Sequence, residues 1–200
     1  MWRTSRTPAL GGLGALAAYV AFQVVLQQQA VRFGETFARA AGLTAAEVSA
    51  NPRPASPFNW MVVVRDGDRY DYSLVNLARR NPERLAPDAG FIAQLSAPYQ
   101  PLDHATWTRL GRFGDTPAHM AAAKEAWRQP QFRFFRWFAQ YPVLYRIDAG
   151  NPSVCVWFQD LRFFTPGHLS WPFRFGMCRE GAAGWQAYQL VGERGRLRVY

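Results

Sequence analysis

The sequence predicts an α+β chain: one N-terminal transmembrane helix, then a mainly antiparallel β-sheet domain covered by two or more helices. Three observations carry this expectation. Residues 9–26 (ALGGLGALAAYVAFQVVL) form an uncharged apolar run. Residues 116–140 read as two amphipathic helices. Strand-like segments on either side of them are separated by Gly, Pro, Asn and Asp, the residues of tight turns.

At 1.5 Å of rise per residue the apolar run reaches about 27 Å as a helix, close to the hydrocarbon thickness of a bilayer. Its one amide is Gln23, and polar residues gather only at Gln27, Gln28 and Gln29. A core helix of a soluble protein would show polar positions at every turn. A secretory signal has a shorter apolar core with a small-x-small triplet directly after it. The nearest such triplet here, Ala38-Arg39-Ala40, lies well downstream. An uncleaved anchor over 9–29 is expected, after a short basic N-terminus, 1–8. Arg3, Arg6 and the terminal amine stand against Arg32 and Arg39, so the positive-inside rule favours an inside N-terminus by a small margin.

Eight Trp and 16% aromatic residues exclude a disordered chain. The formal charge is +9, and its cations are 22 Arg with a single Lys, Lys124. Guanidinium favours bidentate anions, but the arginines are scattered from Arg3 to Arg198 with no run longer than Arg79-Arg80. A nucleic-acid interface needs a basic stripe, so nucleic acid is excluded as a partner. A lipid bilayer is the partner expected, with other membrane helices or a second copy of the chain as further candidates.

Phe33, Phe37 and Ala41 recur at helical spacing beyond the run, and Gly42 fits the stop. Thr44-Ala45-Ala46-Glu47 has the form of a capping box, which predicts a short helix to about Ala50. Pro52, Pro54 and Pro57 then exclude helix. Residues 30–57 are therefore expected to be an amphipathic stalk helix, a short helix and a Pro-rich joint, with residues 58–200 as the α+β domain.

That domain opens with two strand-like runs around Asp66-Gly67, a hairpin signal. The turn would set Val63 opposite Tyr70 and Met61 opposite Tyr72, giving a core face of Met61, Val63, Tyr70, Tyr72 and Leu74. Residues 79–114, rich in Pro and Gly, yield only a short helix near Phe91. Thr116-Pro117 reads as an N-cap with proline at N1, starting a helix through Trp127 or Arg128. Pro130 starts another over 131–140, with Phe134, Trp137, Phe138 and Tyr141 on the face expected to cover the sheet.

Five strands follow, over 143–148, 153–162, 171–179, 184–190 and 195–200, with connections too short for anything but antiparallel neighbours. A hairpin centred on Pro166-Gly167 would place Cys155 opposite Cys178, Val156 opposite Met177 and Phe158 opposite Phe175. Two readings of the cysteines stay open: a cross-strand disulfide, which fits an oxidising compartment, or two free buried thiols.

Motifs of chemistry are sparse. His104, His119 and His168 lie in separate segments without metal-ligand spacing, and no serine sits in a G-x-S-x-G elbow. No catalytic, cofactor-binding or metal-ligating residue is assigned, no cofactor is expected in this chain, and whether it is an enzyme stays open. Asp160-Leu161-Arg162 is the most chemical triplet. Its acid and base stand at i, i+2 near a strand end, placed to pair with each other or with a ligand. Asp160, Arg162, Trp60 and Trp137 form the candidate structural or ligand cluster.

SPFNWMVVV with its Pro-rich approach, RWFAQYPV, and Asp160-Leu161-Arg162-Phe163 before a Phe-rich strand follow a membrane helix and a capped segment. In this the chain resembles the C-terminal part of the bacterial inner-membrane metal-dependent hydrolases, YdjM-like. The resemblance implies an inner-membrane location with a periplasmic C-terminal domain. It also implies that the divalent-metal ligands of a complete member lie in preceding membrane helices, so the chain is expected to be a fragment or one half of a split member, without catalytic residues of its own. The alternative is a non-enzymatic, membrane-tethered binding or assembly module of the envelope.

Overall fold

The helix continues beyond the apolar run, as the spacing of Phe33 and Phe37 predicts. In the computed structural model, which describes residues 7–86, 88–150, 153–166, 173–181 and 183–199, one unbroken helix, α1, runs from Thr7 to Ala40. At 1.5 Å per residue it is about 50 Å long. It stops as the sequence indicates: Gly42 has φ +71°, its N–H meets Arg39 O at 3.1 Å, and the N–H of Leu43 meets Ala38 O at 2.9 Å. That is the paired bonding of a Schellman end, which glycine alone reaches without steric cost.

The fold is α+β, with two sheets and further helices. The first sheet has the order β1-β2-β3-β4, from β1 (Glu47–Pro52), β2 (Asn59–Asp66), β3 (Arg69–Asn76) and β4 (Thr108–Gly111). The second is an antiparallel meander of β5 (Pro142–Ala149), β6 (Ser153–Asp160), β7 (Arg174–Glu180), β8 (Gln186–Val191) and β9 (Gly195–Arg198). The helices after α1 are α2 (Phe91–Ser96), α3 (Pro117–Arg128) and α4 (Arg133–Phe138). The chain divides into two compact units: Met1–Val64 with Tyr72–Trp107, and Arg65–Asp71 with Thr108–Tyr200. The anchor expected over 9–29 and the stalk helix expected from residue 30 are one helix, α1, whose C-terminal half packs within the first unit.

In that unit Leu26, Ala30, Gly34 and Ala38 form the buried stripe of α1, and small residues at every fourth position let helix and sheet approach closely. A Cβ on Gly34 would stand 2.5 Å from Val48 Cγ1 and 2.7 Å from Val62 Cγ1. Phe33 and Phe37 flank the stripe and stack on Trp107, while Ala41 is exposed. The segment expected as a second short helix is β1. Its Val48 and Ala50 alternate toward α1, and Gln27 Nε2 donates to Ala50 O at 3.3 Å. The capping-box pattern loses because two residues of strand face satisfy the apolar stripe and Pro52 forbids further helix.

The hairpin closes over Gly67-Asp68, one residue later than expected, since β2 continues to Asp66 and β3 starts at Arg69. Gly67 supplies the positive φ, +60°, and Asp66 pairs with Arg69 across the turn at 3.0 Å. The partners Val63–Tyr70 and Met61–Tyr72 shift with it. Six consecutive buried residues in β2 also replace the one-sided face expected.

The second unit follows the sequence closely. Thr116 Oγ1 accepts from the His119 N–H at 3.3 Å and caps α3, with Pro117 next. Cys155 pairs with Cys178, Val156 with Met177 and Phe158 with Phe175, the register expected. The hairpin tip beyond Pro166, including Gly167 and His168, lies outside the described residues, as do Trp171 and Pro172 of the expected third strand. Val156, Phe158, Met177 and Ala187 share one core with Ala123, Ala126, Phe132 and Phe135. The 131–140 helix is corrected: Pro130–Phe132 is a 3-10 turn and α4 holds six residues. That tighter turn rotates the face, so Phe132 and Phe135 are buried while Trp137 is 86% exposed.

Candidate functional site

Each member of the sequence-derived cluster has its own setting. Trp60 is buried in the first unit with Leu26, Ala30 and Val62, its indole N–H donating to Pro57 O at 3.2 Å. Trp137 stands on the surface of the second unit. Asp160 is 1% exposed at the end of β6, where a 3-10 turn, Leu161–Phe163, begins. Its carboxylate accepts from the backbone N–H of Gln140 at 2.7 Å, Tyr141 at 3.4 Å and Arg162 at 2.9 Å. Arg162 adds Nε at 2.9 Å and Nη2 at 2.7 Å. The pair thus forms through a capped turn and not through one strand face.

Arg162 Nη2 also donates to Phe138 O at 2.6 Å, and its guanidinium lies 5.2 and 5.3 Å from the Phe138 and Phe163 ring centres. Phe163 stacks on Phe173 at 4.2 Å. The adjoining cavity, lined in part by Asp160, Phe163, Phe173 and Arg174, holds about 10 Å³, room for one water. With every carboxylate lone pair engaged, this joint ties α4, β5 and β6 together.

A larger groove of about 510 Å³ is lined by Tyr145, Arg146, Asp148, Glu193 and Arg194. Arg146 is engaged within it: its Nε lies 2.9 Å from Asp148, and its Nη2 donates to the backbone carbonyl of Glu193 at 2.6 Å. On the same sheet face Cys155 and Cys178 are bonded at 2.03 Å. Among the described residues no group of three or more His, Cys, Asp and Glu could hold a metal ion, so the described residues do not fit the divalent metal that the resemblance implies for a complete member. His168 lies outside the described residues.

The arginines have structural uses that explain their excess over lysine. Arg109 grips Asp71 through Nε at 2.8 Å and Nη2 at 3.3 Å. Arg112 pairs with Asp68 at 2.8 Å, donates to Tyr70 Oη from Nε at 3.2 Å and Nη2 at 2.8 Å, and lies over the Phe113 and Trp127 rings. A planar fork that also stacks is what guanidinium offers and ammonium does not. Burial raises the Tyr70 phenol above its ordinary value of 10.0, against the lowering effect of Arg112. A folded-state value above the unfolded one means that Tyr70's contribution is whole below pH 10.0 and lost as pH climbs through the folded value. Thermal melts across the alkaline range are expected to show a fall in stability that Tyr70→Phe reduces.

The feature most open to a function is the N-terminal half of α1. It belongs to the one helix among the described residues long and apolar enough to cross a membrane. Leu10, Leu13, Leu16, Tyr19, Val20, Val24 and Val25 are exposed along it. Gln23, the amide inside the run, is the exception: its Nε2 is buried. Hydrophobicity alone found the run, whereas which face carries Gln23 depended on the sheet. No protein-family model, no curated protein and no solved structure matches the chain.

Proposed function

We propose that this chain is a single-pass membrane-anchored domain of the bacterial envelope. α1 holds it in the inner membrane, the α+β part lies on the periplasmic side, and it resembles the C-terminal region of membrane-bound metal-dependent hydrolases without carrying catalytic residues of its own. The observation that supports the anchor is the apolar half of α1, exposed on all sides over residues 9–21. Exposure of so much contiguous apolar surface is costly in water and favourable in hydrocarbon. The Cys155–Cys178 bond supports an oxidising compartment. A non-enzymatic binding or assembly module is the second reading, favoured by the full engagement of Asp160.

The wild-type chain is expected to stay with membranes through alkaline carbonate washing. Leu13→Asp with Leu16→Asp is expected to release it, since each carboxylate near the middle of a span costs about 2.5–3.5 kcal/mol. Unreduced, denatured protein from cells is expected to resist alkylation at Cys155 and Cys178. Release of the wild type without detergent would overturn the anchor, and free alkylation would overturn the periplasmic placement.

A further inference from the structure

The membrane run and the protein-packed part of α1 overlap. The run extends to Leu26, yet packing against the first unit begins at Phe22, whose ring meets Phe58 edge-on at 5.8 Å. Leu26 itself is buried in the core of that unit. Five residues of helix, about 7 Å, therefore belong to both the hydrocarbon-length run and the docked segment. Only residues 9–21, about 20 Å of helix, stand clear of the unit, less than the roughly 30 Å of a hydrocarbon core. If the run fills the bilayer, the edge of the unit around Phe58 lies within the lipid surface.

That edge carries a second apolar element. Asn59, next to Phe58, donates through Nδ2 to Ser96 Oγ at 3.2 Å and to Pro54 O at 3.1 Å, which fixes the end of α2 beside the Phe58 turn. α2 has six residues, about 9 Å, so Phe91 and Ile92 lie about 10 Å or less from this anchor point. They are 62% and 61% exposed. Arg79 holds the flanking loop through Ser96 O at 3.0 Å and Tyr99 O at 2.8 Å, and it pairs with Glu83. The neighbouring Arg80 and Arg84 are exposed, as is Asp88.

We propose that α2 is a second membrane contact, with Phe91 and Ile92 inserted at the boundary of headgroups and acyl chains and Arg80 and Arg84 beside lipid phosphates. The inference rests on α1 crossing a bilayer. Aromatic and aliphatic side chains flanked by arginine favour that boundary over water. Two contacts some distance apart would fix the tilt of the unit on the membrane, where a single helix leaves it free to swivel.

Full-length Phe91→Cys and Ile92→Cys, each carrying a nitroxide, are reconstituted into vesicles of phosphatidylcholine and phosphatidylglycerol. Leu16→Cys serves as the lipid reference and Leu197→Cys as the aqueous one. At 91 and 92, collision with oxygen is expected to exceed collision with a water-soluble nickel chelate by about fivefold or more, with the order reversed at 197. Water-like values at 91 and 92 with lipid-like values at 16 overturn the second contact and leave the anchor standing. Shielding from both reagents means a protein covers α2 and also overturns it. Water-like values at 16 remove the anchor and this inference together.

Discussion

Asp160→Ala is expected to destabilise the chain by about 3–5 kcal/mol, the usual effect of removing one partner from a buried, hydrogen-bonded pair. Three backbone N–H groups, of Gln140, Tyr141 and Arg162, lose their acceptor, and the start of β5 loses the group that fixes it to the end of β6. Arg162 is partly exposed, at 28%, so its charge can turn to water, and its own loss matters less. Arg162→Met is therefore expected to cost about 1–2 kcal/mol, since Asp160 keeps its backbone donors. Urea unfolding of the detergent-solubilised full chain, followed by tryptophan fluorescence, measures both. An Asp160→Ala variant as stable as the wild type would sink the structural role and return this carboxylate to consideration as a reacting group.

The contrast between the two halves of the chain shows what residue patterns make legible. Between β5 and β9 every connection but the one from β6 to β7 has three to five residues, so neighbours in sequence are neighbours in space. A single assumption, the turn near Pro166-Gly167, then placed Cys155 against Cys178. In the first unit the order of pairing depends on α1, and a sequence pattern does not reveal what covers a strand. Thr44 to Glu47 carries a good helix-start signature that β1 overrides, because pairing with β2 and burial of Val48 and Ala50 under α1 outweigh a local propensity of less than about 1 kcal/mol per residue. The same cause hid the double-sided burial of β2, where Trp60 and Val62 meet the helix. Trp137 was misplaced by phase alone: a 3-10 turn at Pro130–Phe132 rotates the faces that a continuous helix from 131 would present. For the candidate site, the pairing of Asp160 with Arg162 could be read from spacing. Its use of three backbone donors could not, since these come from residues 140, 141 and 162.

Gly34→Val is expected to loosen the first unit by about 3 kcal/mol, at the upper end of overpacking effects. The added Cβ alone would lie 2.5 Å from Val48 Cγ1 and 2.7 Å from Val62 Cγ1, well inside the 3.5–4.0 Å of good carbon contact. Two further methyls add to an overlap that the Cβ already makes, so helix and sheet are expected to separate by about 1 Å or more. A gap of that size forfeits much of the dispersion between Leu26, Ala30 and Ala38 and the strands beneath them. Better helix propensity than glycine returns a few tenths of a kcal/mol and does not offset this. Gly34→Ala is the informative partner in a double-mutant cycle, because Val48→Ala removes the nearer of the two clashing methyls. The pair is expected to be less damaging than the sum of its members by about 1 kcal/mol. The free apolar half of α1 is untouched by either change, so carbonate-resistant membrane association should persist while the unfolding midpoint falls. Loss of membrane association in Gly34→Val would instead mean that anchoring depends on the helix–sheet packing, and the two roles of α1 would not be separable along its length.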